Sequence, residues 1–376
     1  MIYLDNAATT KPHKEALESF NQVSERLFFN TASLHKGGRE AARLLGAART
    51  QILNELELKN HRIIFTGGAT ESNNMILRGM IERKLPFGKT VLVSELEHPS
   101  VVNVLEHYKK DINLKYIKTT TEGHVDLEDF KEKLTDDVIL VSVMAMNNII
   151  GSIQPIEALG KILKDYKKAY FHVDATQAIG KVKLNYQDVD ALTLSAHKFY
   201  GVKGVGALIV KDMNVVDALL LGGGHEENKR SGTVNLPAIV AMAKALRIAE
   251  ENLEAKEKKL SKWNDKVRTH FKEYKKIVFQ EKHSPYFINL SFVGAKGEIV
   301  VNALSALGVY VSTTSACASK SNELNETLIA IGNRKDVVHG SVRISFSQET
   351  KESEVDILID ALEKVYKQLG EILHEI

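Results

Sequence analysis

A single cysteine, Cys317, stands in a chain of 376 residues. Intrachain disulfides are therefore impossible, and a structural zinc held by several thiolates is excluded. Neither sign of charge is in excess: the formal net charge of +2 argues against a surface dedicated to nucleic acid. No uninterrupted apolar stretch approaches the roughly 20 residues of a membrane span. The opening residues, MIYLDNAATT, carry neither a basic n-region nor an apolar h-region, so a non-secreted, cytoplasmic protein is expected. Internal repeats and low-complexity tracts are also lacking.

What is present is ordinary globular composition, with 44% hydrophobic and 26% charged residues. The length suits a large α/β domain plus a smaller one. Apolar runs that read as strands alternate with helical patterns: RIIFT, TVLVSE, LKYIKT, VILVSVMAM, AYFHVD, ALTLSAH and GALIVK. Strands apolar on both faces and separated by helices imply a mostly parallel sheet covered on both sides. Right-handed crossovers would then put all the strand C-termini on one edge. After Pro237 the texture changes to one long helix-compatible run and then an α+β layout. The expected division is a large domain over 13–250 and a small domain built from 1–12 and 251–376.

Ligands of open α/β sheets bind beyond the carboxyl ends of the strands. RIIFT delivers Gly67, Gly68, Ala69 and Thr70 into a helix N-terminus, which offers backbone N–H groups to an anion. TVLVSELEH delivers His98, VILVSVMAM delivers Asn147 and Asn148, and AYFHVD delivers Asp174 with Gln177 a turn later. A carboxylate directly after a buried strand should be protonated or paired with a cation. ALTLSAH delivers Ser195, His197 and Lys198. A lysine at a strand end is rigidly held and partly desolvated, which favours a free amine and Schiff-base chemistry. One edge thus collects an anion cradle, a carboxylate, a ring-bearing histidine and an amine. Pyridoxal 5'-phosphate offers the complements: a phosphate, a pyridinium nitrogen, a flat ring and an aldehyde.

The motifs DNAATT, SLHKGGREA, FTGGATESNN, EHPS, NNIIGSIQPI, HVDATQAIGK, LSAHKFYGVKGVG, GGGHEENKRSGTVN, STTSACASK and SVRISF run essentially end to end. Together they resemble the cysteine desulfurases (NifS/IscS-like) of the class V aminotransferase family, pyridoxal-phosphate enzymes of fold type I. The resemblance implies conversion of L-cysteine to L-alanine, with the sulfur passed to an enzyme cysteine as a persulfide. It implies that Lys198 carries the cofactor and moves protons, Asp174 pairs with the ring nitrogen, Gln177 with the ring hydroxyl, and His98 stacks on the ring. Thr70, Ser195 and His197 would hold the phosphate, with Thr233 arriving from the other subunit of a homodimer. Asn148 and Arg343 would hold the substrate carboxylate, and Cys317 would take the sulfur. The onward acceptor would be an iron–sulfur scaffold or a tRNA-thiolation enzyme.

The sequence departs from the family pattern at Ile149, where glutamate is common, and at His225, where glutamine is usual. Asn30-Thr31-Ala32 stands where Asn-Pro-Ser is usual. The Cys317-to-Arg343 spacing resembles the long-loop subgroup, and STTSACASK resembles the bacterial paralogues that feed 4-thiouridine synthesis. Alternatives on the same scaffold are selenocysteine lyase, cysteine sulfinate desulfinase, an aminotransferase, or a non-catalytic sulfur-transfer scaffold. A nicotinamide dehydrogenase is set aside because GVKGVG precedes a strand, where a dinucleotide fingerprint follows one and opens a helix.

Overall fold

The computed structural model describes residues 1–314 and 324–373. The chain opens with a two-residue strand, β1 (Ile2–Tyr3). Seven strands then form the principal sheet: β2 (Arg62–Thr66), β3 (Thr90–Ser94), β4 (Asn113–Ile117), β5 (Val138–Ser142), β6 (Tyr170–Asp174), β7 (Ala191–Ser195) and β8 (Gly206–Val210). They lie side by side in the order β2-β8-β7-β6-β5-β3-β4. All neighbours from β7 to β4 are parallel, whereas β8 is antiparallel to both β2 and β7. This is the mostly parallel sheet of the fold type I enzymes.

The expectation that all strand C-termini share one edge is corrected at β8. The link from β7, residues 196–205, holds only one 3₁₀ turn and is too short for a crossover helix, so the chain returns antiparallel. As a result β8 brings its first residue to the functional edge, Gly206, paired with Thr66 on one side and Ser195 on the other.

Side chains alternate across each strand, and the two faces feed two separate cores. Ile64, Val91 and Val93 pack with Met75, Ile76, Val101 and Leu105 of helices Ala69–Lys84 and Pro99–His107. Ile63, Phe65, Leu92 and Val173 pack on the opposite face with Leu159, Ala241 and Met242 of helices Ile156–Leu163 and Leu236–Glu250. Burial on both faces is why these strands read as continuous apolar runs.

The remaining strands are β9 (Ile277–Phe279), β10 (Phe287–Phe292), β11 (Val309–Tyr310), β12 (Ser312–Thr313) and β13 (Ser341–Ser345). Four of them make an antiparallel sheet in the order β12-β13-β10-β9, while β1 pairs in parallel with β11. Asp5 forms an isolated bridge to Ser345, so the N-terminal segment lies against β13. The single long helical run expected after Pro237 is two helices, Leu236–Glu250 and Leu253–His270. Asn252 breaks it in the left-handed region at φ 55°, a conformation an asparagine tolerates better than most residues.

Candidate active site

The strand order reverses between β3 and β5, and such a switch point opens a crevice beyond the strand ends. After β3 the chain places Glu97 and His98 there. His98 caps helix Pro99–His107: its Nδ1 accepts the Ser100 N–H at 3.1 Å, and proline at the first position needs no partner for a missing N–H. Burial lowers the His98 pKa below the usual imidazole value, Asp174 opposing and Lys198 adding to that effect. Glu97 is buried beside it and accepts the Met144 N–H through Oε1, while Oε2 has no partner among the described residues. Burial, and then the charge of Asp174, push the Glu97 carboxyl well above its ordinary range. Both effects favour the neutral form of the Glu97 carboxyl.

Asp174 ends β6 and is buried. Its Oδ2 accepts from Asn73 Nδ2 at 2.9 Å and its Oδ1 from the Thr176 N–H at 3.0 Å. Two donors hold the group where it can face a cation. Behind it on β6, His172 is held between Ser142 Oγ, 2.9 Å from Nδ1, and Thr193 Oγ1, 3.1 Å from Nε2. Burial drops the His172 pKa to about 4 against the pull of Asp174, so this ring is a neutral strut.

Lys198 closes the 3₁₀ turn Ala196–Lys198 that follows β7. Its Nζ donates to the Ala7 and Ala8 carbonyls, at 2.6 and 2.8 Å, so the N-terminal segment reaches the amine. The same segment accepts from Gln177: the Nε2 of that residue donates to the Ala7 carbonyl at 2.9 Å. The buried Lys181 ties the two together, donating to the Gln177 and Lys198 carbonyls at 3.1 Å each. Burial, with the Lys198 charge assisting, lowers the Lys181 pKa to about 7.

The anion cradle forms where β2, β7 and β8 meet. Gly68 precedes helix Ala69–Lys84 with φ 153°, and a Cβ there would sit 3.6 Å from Ser195 Oγ. At Gly206 a Cβ would lie 2.7 Å from the Gly68 Cα, so only glycine lets the two backbones approach. Thr70 is exposed in the first turn of that helix and Ser195 is buried. His197 is half-buried with Nδ1 3.2 Å from Thr9 Oγ1. Burial, then the charges of Lys198, Lys203 and Lys181, lower its pKa to about 4, so it offers a neutral ring.

Arg343, on β13, reaches across from the antiparallel sheet. Nη1 donates to the Asn148 carbonyl at 2.8 Å and Nη2 to Asp5 Oδ1 at 2.9 Å, while its buried Nε has no partner among the described residues. The neighbouring Asn147 is buried, and its Oδ1 accepts the Ile149 and Ile150 N–H groups at 2.8 and 3.0 Å. Ile149 and Ile150 in turn pack with Leu328, Ile331 and Val338 in a small cluster of their own.

Of the residues singled out from the sequence, His98, Asp174, Gln177, Ser195, His197 and Lys198 gather at one edge of the principal sheet. Asn148 and Arg343 meet each other through the Asn148 carbonyl. Thr233 is exposed, two residues before the Asn235 cap of helix Leu236–Glu250. Cys317 lies outside the described residues. Asn73, Glu97, Ser100 and Asp5 were not among the residues singled out from the sequence. Each lies inside a quoted motif, but nothing in composition or periodicity says which polar side chain of a motif faces another strand.

The class-V aminotransferase model matches residues 2–358 of the chain. The chain belongs to that family. Within it the similarity is to the cysteine desulfurases. A NifS/IcsS protein homolog of Lactobacillus delbrueckii subsp. bulgaricus is 38% identical over the whole chain and 99% of its own length. A cysteine desulfurase IscS of Dictyoglomus turgidum is 37% identical over 99% of the chain and 96% of its own length. Among solved structures, a NifS-like protein superimposes with a TM-score of 0.90 at 33% identity, covering 98% of this chain and 99% of that one. A NifS-like protein from Rickettsia africae gives 0.86 at 28% identity over 98% and 99%.

Class-V aminotransferases of this kind depend on pyridoxal phosphate, and the residues present fit that group. The buried Gln177 Oε1 has no hydrogen-bond partner among the described residues, and as an acceptor it suits a hydroxyl donor. The glycine-built cradle at Gly68 and Gly206 suits a phosphate. The buried Asp174 suits a protonated ring nitrogen.

Proposed function

We propose that the protein is a pyridoxal-phosphate-dependent cysteine desulfurase that converts L-cysteine to L-alanine and passes the sulfur through Cys317 to an acceptor. One observation carries this reading: Asp174 at the end of β6 and Lys198 after β7 both lie close enough to His98, which follows β3, to act on its ring, and the Lys198 amine shares the Ala7 carbonyl with Gln177. The family relationship supports it.

When bound, pyridoxal phosphate supplies an electron sink that acidifies the substrate α-proton and activates the carbon–sulfur bond. In this reading Lys198 anchors the cofactor and moves that proton. Asp174, held by Asn73 and Thr176, keeps the ring nitrogen protonated. His98 covers the ring from helix Pro99–His107, and Gln177 meets the ring hydroxyl. Thr70, Ser195 and His197 hold the phosphate together with the helix N-terminus, and Thr233 completes the cradle from a second subunit of a homodimer. Arg343 and Asn148 orient the substrate carboxylate, the guanidinium by a two-pronged contact. The Cys317 thiolate would attack the substrate sulfur, forming a sulfur–sulfur bond as the substrate carbon–sulfur bond breaks; the electron pair stays on the carbon, which takes up a proton to become the methyl group of alanine, and Cys317 is left as the persulfide. Residues 13–250 form the cofactor domain, and 1–12 with 251–376 form the domain that brings Arg343 and Cys317. The acceptor is an iron–sulfur scaffold or a tRNA-thiolating enzyme.

The test is a sulfide and alanine assay on purified protein with cysteine and a reductant. Equimolar release is expected, with Cys317→Ala abolishing sulfide while retaining the cofactor's visible absorbance and Lys198→Ala losing that absorbance. Full sulfide release by Cys317→Ala would rule out sulfur transfer through this thiol.

A further inference from the structure

Asn73 stands between two side chains of the site and contacts neither cofactor atoms nor substrate in the reading above. Its Nδ2 is 2.9 Å from Asp174 Oδ2 and 2.9 Å from Ser100 Oγ. A carboxylate only accepts, so the amide nitrogen must face Asp174, and its two hydrogens serve the two oxygens. Ser100 Oγ therefore accepts from Asn73, and its own proton is free to point at His98 Nδ1, 2.9 Å away. The Ser100 backbone N–H points at the same nitrogen from 3.1 Å. A backbone amide can only donate, so Nδ1 carries a lone pair and the ring proton sits on Nε2.

We propose that Ser100 and Asn73 are positioning residues that fix His98 as its Nε2–H tautomer and tie that tautomer to Asp174. The chain has one polarity throughout: Asn73 donates to both Asp174 and Ser100, and Ser100 donates to His98. Reversing any link leaves a buried donor facing a donor or a carboxylate facing a carbonyl, which costs more than the bond itself. Protonating Nδ1 would set it against the Ser100 backbone N–H, a donor facing a donor, and uncap helix Pro99–His107. His98 thus presents an N–H from Nε2 and is blocked from acting as a base through Nδ1. The charged groups that act on the ring are Asp174 from β6 and Lys198 from the turn after β7.

This inference rests on the cofactor assignment made above, and its test separates the two. The protein, ¹⁵N-labelled at histidine, is examined by NMR across pH with and without pyridoxal phosphate, His98→Gln serving to assign the resonance. The expected result is an unprotonated Nδ1 and a protonated Nε2 at neutral pH. Ser100→Ala should raise the proton affinity of the ring about tenfold, since one donor to Nδ1 is lost. It should also lower kcat about fivefold with KM for cysteine unchanged, and Ser100→Thr, which keeps a hydroxyl, should restore both. An Nδ1-protonated His98, or a Ser100→Ala protein that titrates as wild type, would overturn the proposal even where the cofactor binds. A wild-type protein that binds no cofactor would overturn the functional reading and this inference together.

Discussion

Arg343 Nη2 lies 2.9 Å from Asp5 Oδ1, although the two are 338 positions apart in the chain. The contact joins the N-terminal segment to β13, and both side chains are largely out of water, at 7% and 20% exposure. Removing one partner of such a pair strands the other charge. Asp5→Ala is therefore expected to cost about 3 kcal/mol of stability, measured by denaturant unfolding. Arg343→Ala, which also loses the group proposed to hold the substrate carboxylate, should raise KM for cysteine at least tenfold in steady-state kinetics.

The closeness of Gly206 to Gly68 gives a second prediction. In Gly206→Ala the new methyl would lie 2.6 Å from the Leu194 carbonyl oxygen and 2.7 Å from the Gly68 Cα, both backbone atoms that cannot rotate away. A destabilisation of about 1–3 kcal/mol is expected. Because the displaced backbone is the anion cradle, affinity for pyridoxal phosphate should fall as well, read from titration of the visible absorbance. An unaltered cofactor affinity would separate the cradle from Gly68.

Glu97 predicts a pH effect of defined sign. Its folded-state pKa is raised above the ordinary 4.5 by burial and by Asp174, so the folded protein holds this proton after the unfolded chain has lost it. Stability contributed by the neutral form is present at low pH and is lost as pH rises from about 4.5 towards the folded-state value. Glu97→Gln keeps an acceptor for the Met144 N–H and cannot ionise. Its melting temperature relative to wild type should therefore rise as the pH climbs from the ordinary carboxylate range towards neutrality. A constant difference across that range would show that Glu97 is not the titrating group.

Ile149 anchors the fourth prediction. It packs with Leu328, Ile331 and Val338, linking the loop that carries Asn148 to helix Glu326–Ala330. Asn147 Nδ2 adds a contact to Thr327 Oγ1 at 3.3 Å. Ile149→Ala should cost about 2–4 kcal/mol, and amide exchange in residues 326–331 should quicken more than in β10. Exchange that quickens uniformly would mean that the cluster is not a separate unit.

The sheet was legible because strands buried on both faces write themselves as unbroken apolar runs, as in VILVS and ALTLS. The residues that leave those strands, Asp174 and Lys198 among them, could be placed at strand ends for the same reason. The break at Asn252 was not legible: the charge pattern on either side of it continues at helical spacing, and a single left-handed asparagine has no periodic signal. Nor was the reversed β8, whose composition is that of any buried strand.

By itself the sequence determined the alternation of strands and helices, the glycine turns and the set of chemical groups, because hydrophobic period and residue type are local properties. Only the tertiary structure decided which groups face one another. That Asn73 stands between Asp174 and Ser100, that Ala7 meets both Gln177 and Lys198, and that Arg343 turns to Asp5 all depend on strand order and on donors and acceptors being buried together. A hydrogen bond across more than a hundred residues has no trace in spacing, and its direction is fixed only when every neighbouring donor has found its acceptor.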